Sequence, residues 1–268
     1  MAPVSLALDT PDLAALYERV SADRQFRAGQ SLIKELGIAP GESVLDVGAG
    51  TGLLAEYVAG LVGPGGSVIG IDPLPLRIEL AQHKSRPNLE FKVGNVYDLS
   101  ALAAKSFDVV YLNAVFHWLP EKLEPLRQIH RVLKPGGRLG ISTGSKTHPR
   151  YLQAIAAQVL SRDPYRRYQR DSAEVSHRVS ADELDQLLKQ TGFGIKKIEL
   201  RPFVRTDPTP DAAIRFSEAS SFGNFLGHLP EELRAAAREE IKRELEQHRT
   251  PEGLTRNGAR IIAVAVRL

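Results

Sequence analysis

The chain has 268 residues, enough for one elaborated α/β domain or two units of about 150 residues each. Charged residues make up 25% and the apolar set 43%, which excludes wholesale disorder, and 35 basic against 32 acidic residues leave a net charge of +3 that does not mark a nucleic-acid binder. Cysteine is absent, which removes disulfides, thiolate metal sites and cysteine nucleophiles.

The opening MAPVSLALDT lacks a basic stretch followed by an apolar one, and no apolar run approaches the roughly 18 residues of a membrane span. A cytoplasmic protein without a membrane partner is the expectation. From Pro11 to Leu36, Leu13, Leu16, Tyr17 and Val20, then Leu32, Ile33 and Leu36 recur at helical spacing, with Gly37 placed to stop the second of two short helices. Short apolar bursts then predict strands at Ser43–Val47, Ser67–Ile71, Leu89–Val93, Phe107–Leu112 and Arg138–Ser142. Between them, Leu53–Gly60, Leu74–His83 and Lys122–Leu133 are long enough for crossover helices, so the alternation predicts a parallel α/β sheet with helices on both faces.

Ser180 and Glu183 have capping-box spacing, with Gly192 placed to end that helix. A sixth strand is predicted at Gly194–Leu200 and a last one at Arg260–Val266, separated by nearly sixty residues that open with Pro202, Pro208 and Pro210. So long a connection predicts an appended helical lid. Its second helix should start at Pro230 and bury Leu233, Ala237, Ile241 and Leu245.

The sharpest local signal is VLDVGAGTG, Val44–Gly52, where a buried strand runs into glycines at 48, 50 and 52. Such glycines let the backbone turn tightly and approach a ligand. The dinucleotide fingerprint requires a glycine where this chain has Leu53, which argues against NAD. Asp46 would repel a pyrophosphate there and favour an ammonium or sulfonium. Asp72 ends the second predicted strand, where a carboxylate can accept from a ribose diol, and Asn95 beside Val96 ends the third, where an amide oxygen can accept from an adenine amino group. Asn113 ends the fourth, at the same carboxyl edge.

These residues resemble the class I S-adenosylmethionine (SAM) methyltransferases over roughly Ser31–Ser142. The resemblance implies a Rossmann-like, seven-stranded, mostly parallel sheet with an antiparallel last strand, and SAM as cofactor. It assigns Asp46, Gly48, Ala49, Gly50 and Gly52 to the methionine end, Asp72 with Pro73 to the ribose, and Asn95 with Val96 to the adenine, with Asn113 at the same site. Many relatives have aspartate where this chain has Asn95. LKPGGRL, Leu133–Leu139, resembles the family's turn into strand five, and NAVFHW, Asn113–Trp118, is similar to a stretch of the trans-aconitate methyltransferase branch. The implied organisation is N-terminal helices over the cofactor site (1–42), a SAM-binding core (43–143), and remaining core strands with a substrate lid at about 202–258 (144–268). In relatives the N-terminal helices fold over the cofactor, which makes Tyr17 a candidate lid residue and Gln25 a candidate partner of the methionine carboxylate.

His117 is the candidate general base, against the alternative of a histidine that shapes the pocket beside Trp118. Between Lys146 and Arg170, Lys146, Arg150, Arg162, Arg166, Arg167 and Arg170 face one acid, Asp163, with Tyr165 and Tyr168 among them. A solvated face, an anionic small molecule and RNA are the readings of that cluster, in that order. Arg215, Phe216, Phe222, Asn224 and Phe225 suit either a pocket wall or core. No histidine spacing suggests a metal. The expected function is methyl transfer from SAM to an O, N or C nucleophile of a small molecule, anions among the candidates. The alternatives are a non-catalytic SAM-binding regulator, a nucleotide-dependent oxidoreductase and an RNA methyltransferase. Absence of cysteine argues against an arsenite methyltransferase, a relative that relies on thiols.

Overall fold

A computed structural model describes residues 10–148, 151–168, 176–220 and 225–268. In chain order the elements are α1 (Pro11–Tyr17), α2 (Asp23–Leu36), β1 (Ser43–Val47), α3 (Leu53–Val62), β2 (Ser67–Asp72), α4 (Pro75–Gln82), β3 (Leu89–Val93), β4 (Phe107–Asn113), α5 (Leu123–Val132), β5 (Leu133–Gly144), α6 (Tyr151–Leu160), α7 (Ala181–Gln190), β6 (Phe193–Asp207), α8 (Pro210–Ser220), α9 (Glu231–Glu246) and β7 (Leu254–Arg267). Two compact units result. One comprises Met1–Ser21, Lys146–Val175 and Pro202–Ala259; the other comprises Ala22–Ser145, Ser176–Arg201 and Arg260–Leu268.

The seven strands form one sheet in the order β3-β2-β1-β4-β5-β7-β6. The pairs among β1 to β5 are parallel and β7 runs antiparallel to β5, the Rossmann-like arrangement that the resemblance implies. Strands buried on both faces need apolar residues at successive positions. Val44, Val109 and Tyr111 accordingly pack under Leu32, Ile33 and Leu36 of α2. Leu45, Val110 and Leu112 point the opposite way, against Leu126, Ile129 and Val132 of α5. The Ser180 hydroxyl accepts from the Glu183 N–H at 3.1 Å while the Glu183 carboxylate accepts from the Ser180 N–H at 2.8 Å, so the capping box starts α7 as expected.

The late strands correct the boundaries read from the sequence. β6 does not end at Leu200 but continues through Pro202 to Asp207, and β7 begins at Leu254. Proline donates no hydrogen bond, yet β6 is an edge strand of the sheet, where a missing N–H is tolerated. Beyond Pro202 the exposure alternates, with Phe203 and Arg205 half-buried and Val204 at 72% exposed, as a strand requires. Pro230 caps α9 instead of opening it.

In the first unit, Leu152, Ile155 and Val159 of α6 pack with Ile214 of α8 and with Ala237, Ile241 and Leu245 of α9, and Leu233 is partly buried against them. Much of its basic stretch is matched by acids. Arg162 pairs with Glu244 at 2.7 Å, Arg166 with Asp163 at 2.8 Å, and the buried Tyr165 donates to Glu240 at 2.7 Å. Phe216 and Phe225 are buried. Arg150, Arg170, Phe222 and Asn224 lie outside the described residues. Among the described residues no helix is long and apolar enough to cross a membrane.

Candidate functional site

The site residues gather where β1, β2, β4 and β5 reach their carboxyl ends. Gly48, Gly50 and Gly52 turn the chain out of β1 with φ of 78°, 56° and 88°. The N–H groups of Gly48 and Ala49 both donate to the Ile71 carbonyl, at 2.7 and 2.9 Å, which fixes the turn against β2. Asp72 holds it from the same side. One carboxylate oxygen accepts from the Gly50 N–H at 2.9 Å and the other from the Leu74 N–H at 3.0 Å, across Pro73. The acid read as the ribose acceptor therefore also braces the glycine turn, and a carboxylate oxygen can accept more than one hydrogen bond. Asp72→Asn turns one acceptor into a donor. We expect a loss of about 1.5–3 kcal/mol in stability by denaturant unfolding and about tenfold weaker S-adenosylhomocysteine binding by calorimetry; unchanged affinity would remove Asp72 from the site.

Asp46, 2% exposed, lies one residue inside the turn and pairs across β4 with Tyr111. Burial raises its pKa from 3.8 to about 7, the Tyr111 hydroxyl opposes the rise, and the charge of Asp72 adds to it. That hydroxyl is itself buried without a well-formed hydrogen bond among the described residues. Burial, then the neighbouring Asp46, pushes the Tyr111 phenol far above its ordinary range.

Asn113 donates through Nδ2 to the Gln25 carbonyl at 3.0 Å, while its Oδ1 is buried with no partner among the described residues. Ala114 follows at φ 61°, a left-handed conformation that costs a non-glycine residue about 1–3 kcal/mol and that clusters at functional sites. Asn95 directs its amide oxygen to the Tyr97 N–H at 3.1 Å, holding its own turn, and Val96 is buried in the sheet's α5-side core. His117 is 5% exposed in a short 3₁₀ turn, its Nδ1 3.1 Å from the Thr143 hydroxyl and its ring 5.1 Å from that of Trp118. Gln25 is half-buried, and its side-chain oxygen accepts from Arg260 at 3.1 Å. Tyr17, half-buried at the end of α1, belongs to the other unit.

Lys122, Thr143 and Arg260 escape sequence reasoning because no local pattern marks them. Lys122 donates to the carbonyls of Phe116, Leu119 and His177, tying the His117 turn to the segment before α7. Burial lowers its pKa to about 7, against the pull of Glu121. The ring of Phe116 lies 4.7 Å below its ammonium.

The donor set can be tested against the expected ligand. Asp46, Asp72 and the unpartnered Asn113 Oδ1 make the turn rich in acceptors, and a Cβ on Gly48 would stand 2.2 Å from Val115, so the chain approaches closely there. That fits a nucleoside carrying hydroxyl donors and a positive charge, and disfavours a pyrophosphate.

Comparison with known proteins agrees. The sequence profile of the family described as "Methyltransferase domain" matches residues 45–141. Demethylmenaquinone methyltransferase of Lactococcus lactis is 33% identical over 195 residues, 66% of this chain and 77% of that protein. Arsenite methyltransferase of Halobacterium salinarum is 32% identical over 209 residues, 76% of this chain, which spans 49% of that relative's length. A SAM-dependent methyltransferase structure from Aquifex aeolicus shares the fold at a TM-score of 0.52 and 24% identity, over 70% of this chain and 91% of that one.

Proposed function

This chain belongs to the class I SAM-dependent methyltransferases, and we propose that it transfers the methyl group to an O, N or C nucleophile of a small molecule. The observation that carries the reading is the acid-flanked glycine turn: Asp46 buried at the end of β1, with Asp72 fastening Gly50 from β2. Calorimetric titration with SAM and S-adenosylhomocysteine tests it, followed by assay of S-adenosylhomocysteine formation over a panel of phenols, amines and activated carbon acids. Binding of neither compound ends the reading. Among the chemistries of its relatives, arsenite methylation is disfavoured, because trivalent arsenic calls for soft thiolate ligands and the chain has no cysteine.

When bound, SAM supplies a methyl group on a sulfonium, already an activated leaving group. What remains for the protein is to place the acceptor and to receive its proton. In-line placement alone can account for about 7–11 kcal/mol of barrier reduction. The glycine turn and Asp46 would hold the cofactor's charged end, and Asp72 its ribose. His117 accepts the acceptor's proton, its ring oriented by the contact between Nδ1 and Thr143. We expect His117→Gln to lower kcat about 100-fold with S-adenosylhomocysteine affinity unchanged. Full turnover in that variant would leave His117 as a wall of the pocket.

A further inference from the structure

Two arginines at the carboxyl end of β5 have no acidic partner among the described residues. Arg260, on β7, pairs across the sheet with Gly144, the last residue of β5. Its guanidinium donates to the Ser142 hydroxyl at 3.3 Å and to the Gln25 side-chain oxygen at 3.1 Å, both neutral. Arg178 lies over the same glycine. A Cβ on Gly144 would stand 3.4 Å from Arg178 Nε and 3.6 Å from its Cζ. Its hydrogen bond goes to the Ser176 hydroxyl at 3.3 Å, again a neutral oxygen.

Register places both cations on one face. Side chains two apart along a strand share a face, and so do directly paired residues. Asn113, Ser142, Gly144 and Arg260 therefore share one face of β4, β5 and β7, with Asn113 paired to Ser142 and Gly144 to Arg260. Asp46, a buried acid of that face, sits on β1 opposite Tyr111 of β4, three strand spacings from β7, or about 14 Å between backbones. It is too distant to neutralise Arg260. Burial lowers the pKa of Arg260 to about 10 and lowers that of Arg178 as well, with no acid opposing either shift. Both side chains are half-buried, so each charge is partly withdrawn from water without a counter-charge, and arginine's planar fork suits oxyanions. The segment carrying Arg178 is also fastened to the reaction side. His177 donates its N–H to the His117 carbonyl at 2.7 Å, and Ser145 bridges to Val179.

We propose that Arg178 and Arg260 are a recognition site for an oxyanion, carboxylate or phosphate, carried by the methyl acceptor. The proposal rests on the methyltransferase reading and narrows its substrate to anions. The glycine turn and Asp72 assigned to the cofactor lie on β1 and β2, on the other side of β4 from the guanidinium pair, while Gln25, the candidate partner of the methionine carboxylate, is the residue that Arg260 contacts.

The test is the melting temperature of the full chain in acetate, inorganic phosphate and chloride at matched ionic strength, with and without saturating S-adenosylhomocysteine. Acetate or phosphate should stabilise the wild type beyond chloride, and whichever acts more strongly names the oxyanion. Arg178→Met and Arg260→Met should each weaken apparent anion affinity about tenfold, with S-adenosylhomocysteine affinity by calorimetry within about twofold of wild type. Arg260→Lys keeps the charge and loses the fork, so it should fold and show an intermediate loss. Equal anion stabilisation in wild type and variants overturns the proposal. So does a parallel loss of S-adenosylhomocysteine affinity, which would give the guanidinium to the cofactor's own carboxylate. A wild type that binds anions but no S-adenosylhomocysteine would sink the methyltransferase reading and leave the anion site standing.

Discussion

Gly48→Ala should lower S-adenosylhomocysteine affinity about 100-fold and cost about 2–4 kcal/mol of stability, the largest effect of any single methyl group added to the site. Two terms combine. At φ 78° the backbone lies in the left-handed region, where a side chain costs about 1–3 kcal/mol. The new Cβ would also stand 2.2 Å from Val115 Cγ2 and 3.2 Å from its Cβ, so a β-branched residue with few rotamers would have to yield. Val115 opens the turn that carries His117, and Gly48 is tied to the Ile71 carbonyl at 2.7 Å, so strain moves either the glycine turn or the histidine. The double variant Gly48→Ala, Val115→Ala separates the terms. Removing the isopropyl group should recover the steric part and leave the dihedral part, giving a coupling above about 0.5 kcal/mol in a double-mutant cycle. Wild-type affinity in Gly48→Ala would mean the turn does not meet the cofactor.

Much of this was legible in the chain because strong local patterns drive it. The run VLDVGAGTG announces a buried strand and a tight turn together, and the Ser180–Glu183 spacing encodes a cap that forms as read. Boundaries near the end were not legible. Pro202 looks like a strand terminator until the sheet order puts β6 at an edge, where its missing N–H costs nothing. Neither was the chemistry of Arg260. Its partners are Ser142, which is 118 residues away, and Gln25, which is 235 away. No window of sequence contains them together. Gln25 illustrates the same limit: its place in α2 was readable, but its commitment to Arg260 and Asn113 is a tertiary fact. Asp72 was read as a ligand acceptor, and its second task of bracing Gly50 depends on strand pairing.

The pH dependence of stability should differ between wild type and Asp46→Asn, because the Asp46 pKa rises on folding. Its carboxyl has the ordinary 3.8 when unfolded and about 7 when buried beside Tyr111 and Asp72. Between those values the native state holds more protons than the unfolded state, so stability falls as pH rises. The favourable contribution is whole below about pH 4, shrinks through the interval and is gone above pH 7. At ~1.36 kcal/mol per pKa unit the full change is on the order of 4 kcal/mol. Asparagine carries no proton to lose, so the stability of Asp46→Asn relative to wild type should climb steadily from pH 4 to pH 7 and then level. Subtracting the two curves cancels the opposite contributions of acids held low by partners, such as Glu35 beside Arg201 and Lys197. A cationic ligand reverses the balance at Asp46 itself: a sulfonium or ammonium favours the carboxylate, so binding releases a proton below pH 7. SAM affinity should therefore rise toward neutrality in wild type and be flat in Asp46→Asn. Calorimetry at pH 6 and pH 8 in buffers of different ionisation enthalpy counts that proton. If wild type and Asp46→Asn give parallel stability curves and the same proton count, the buried acid is not the cation's partner.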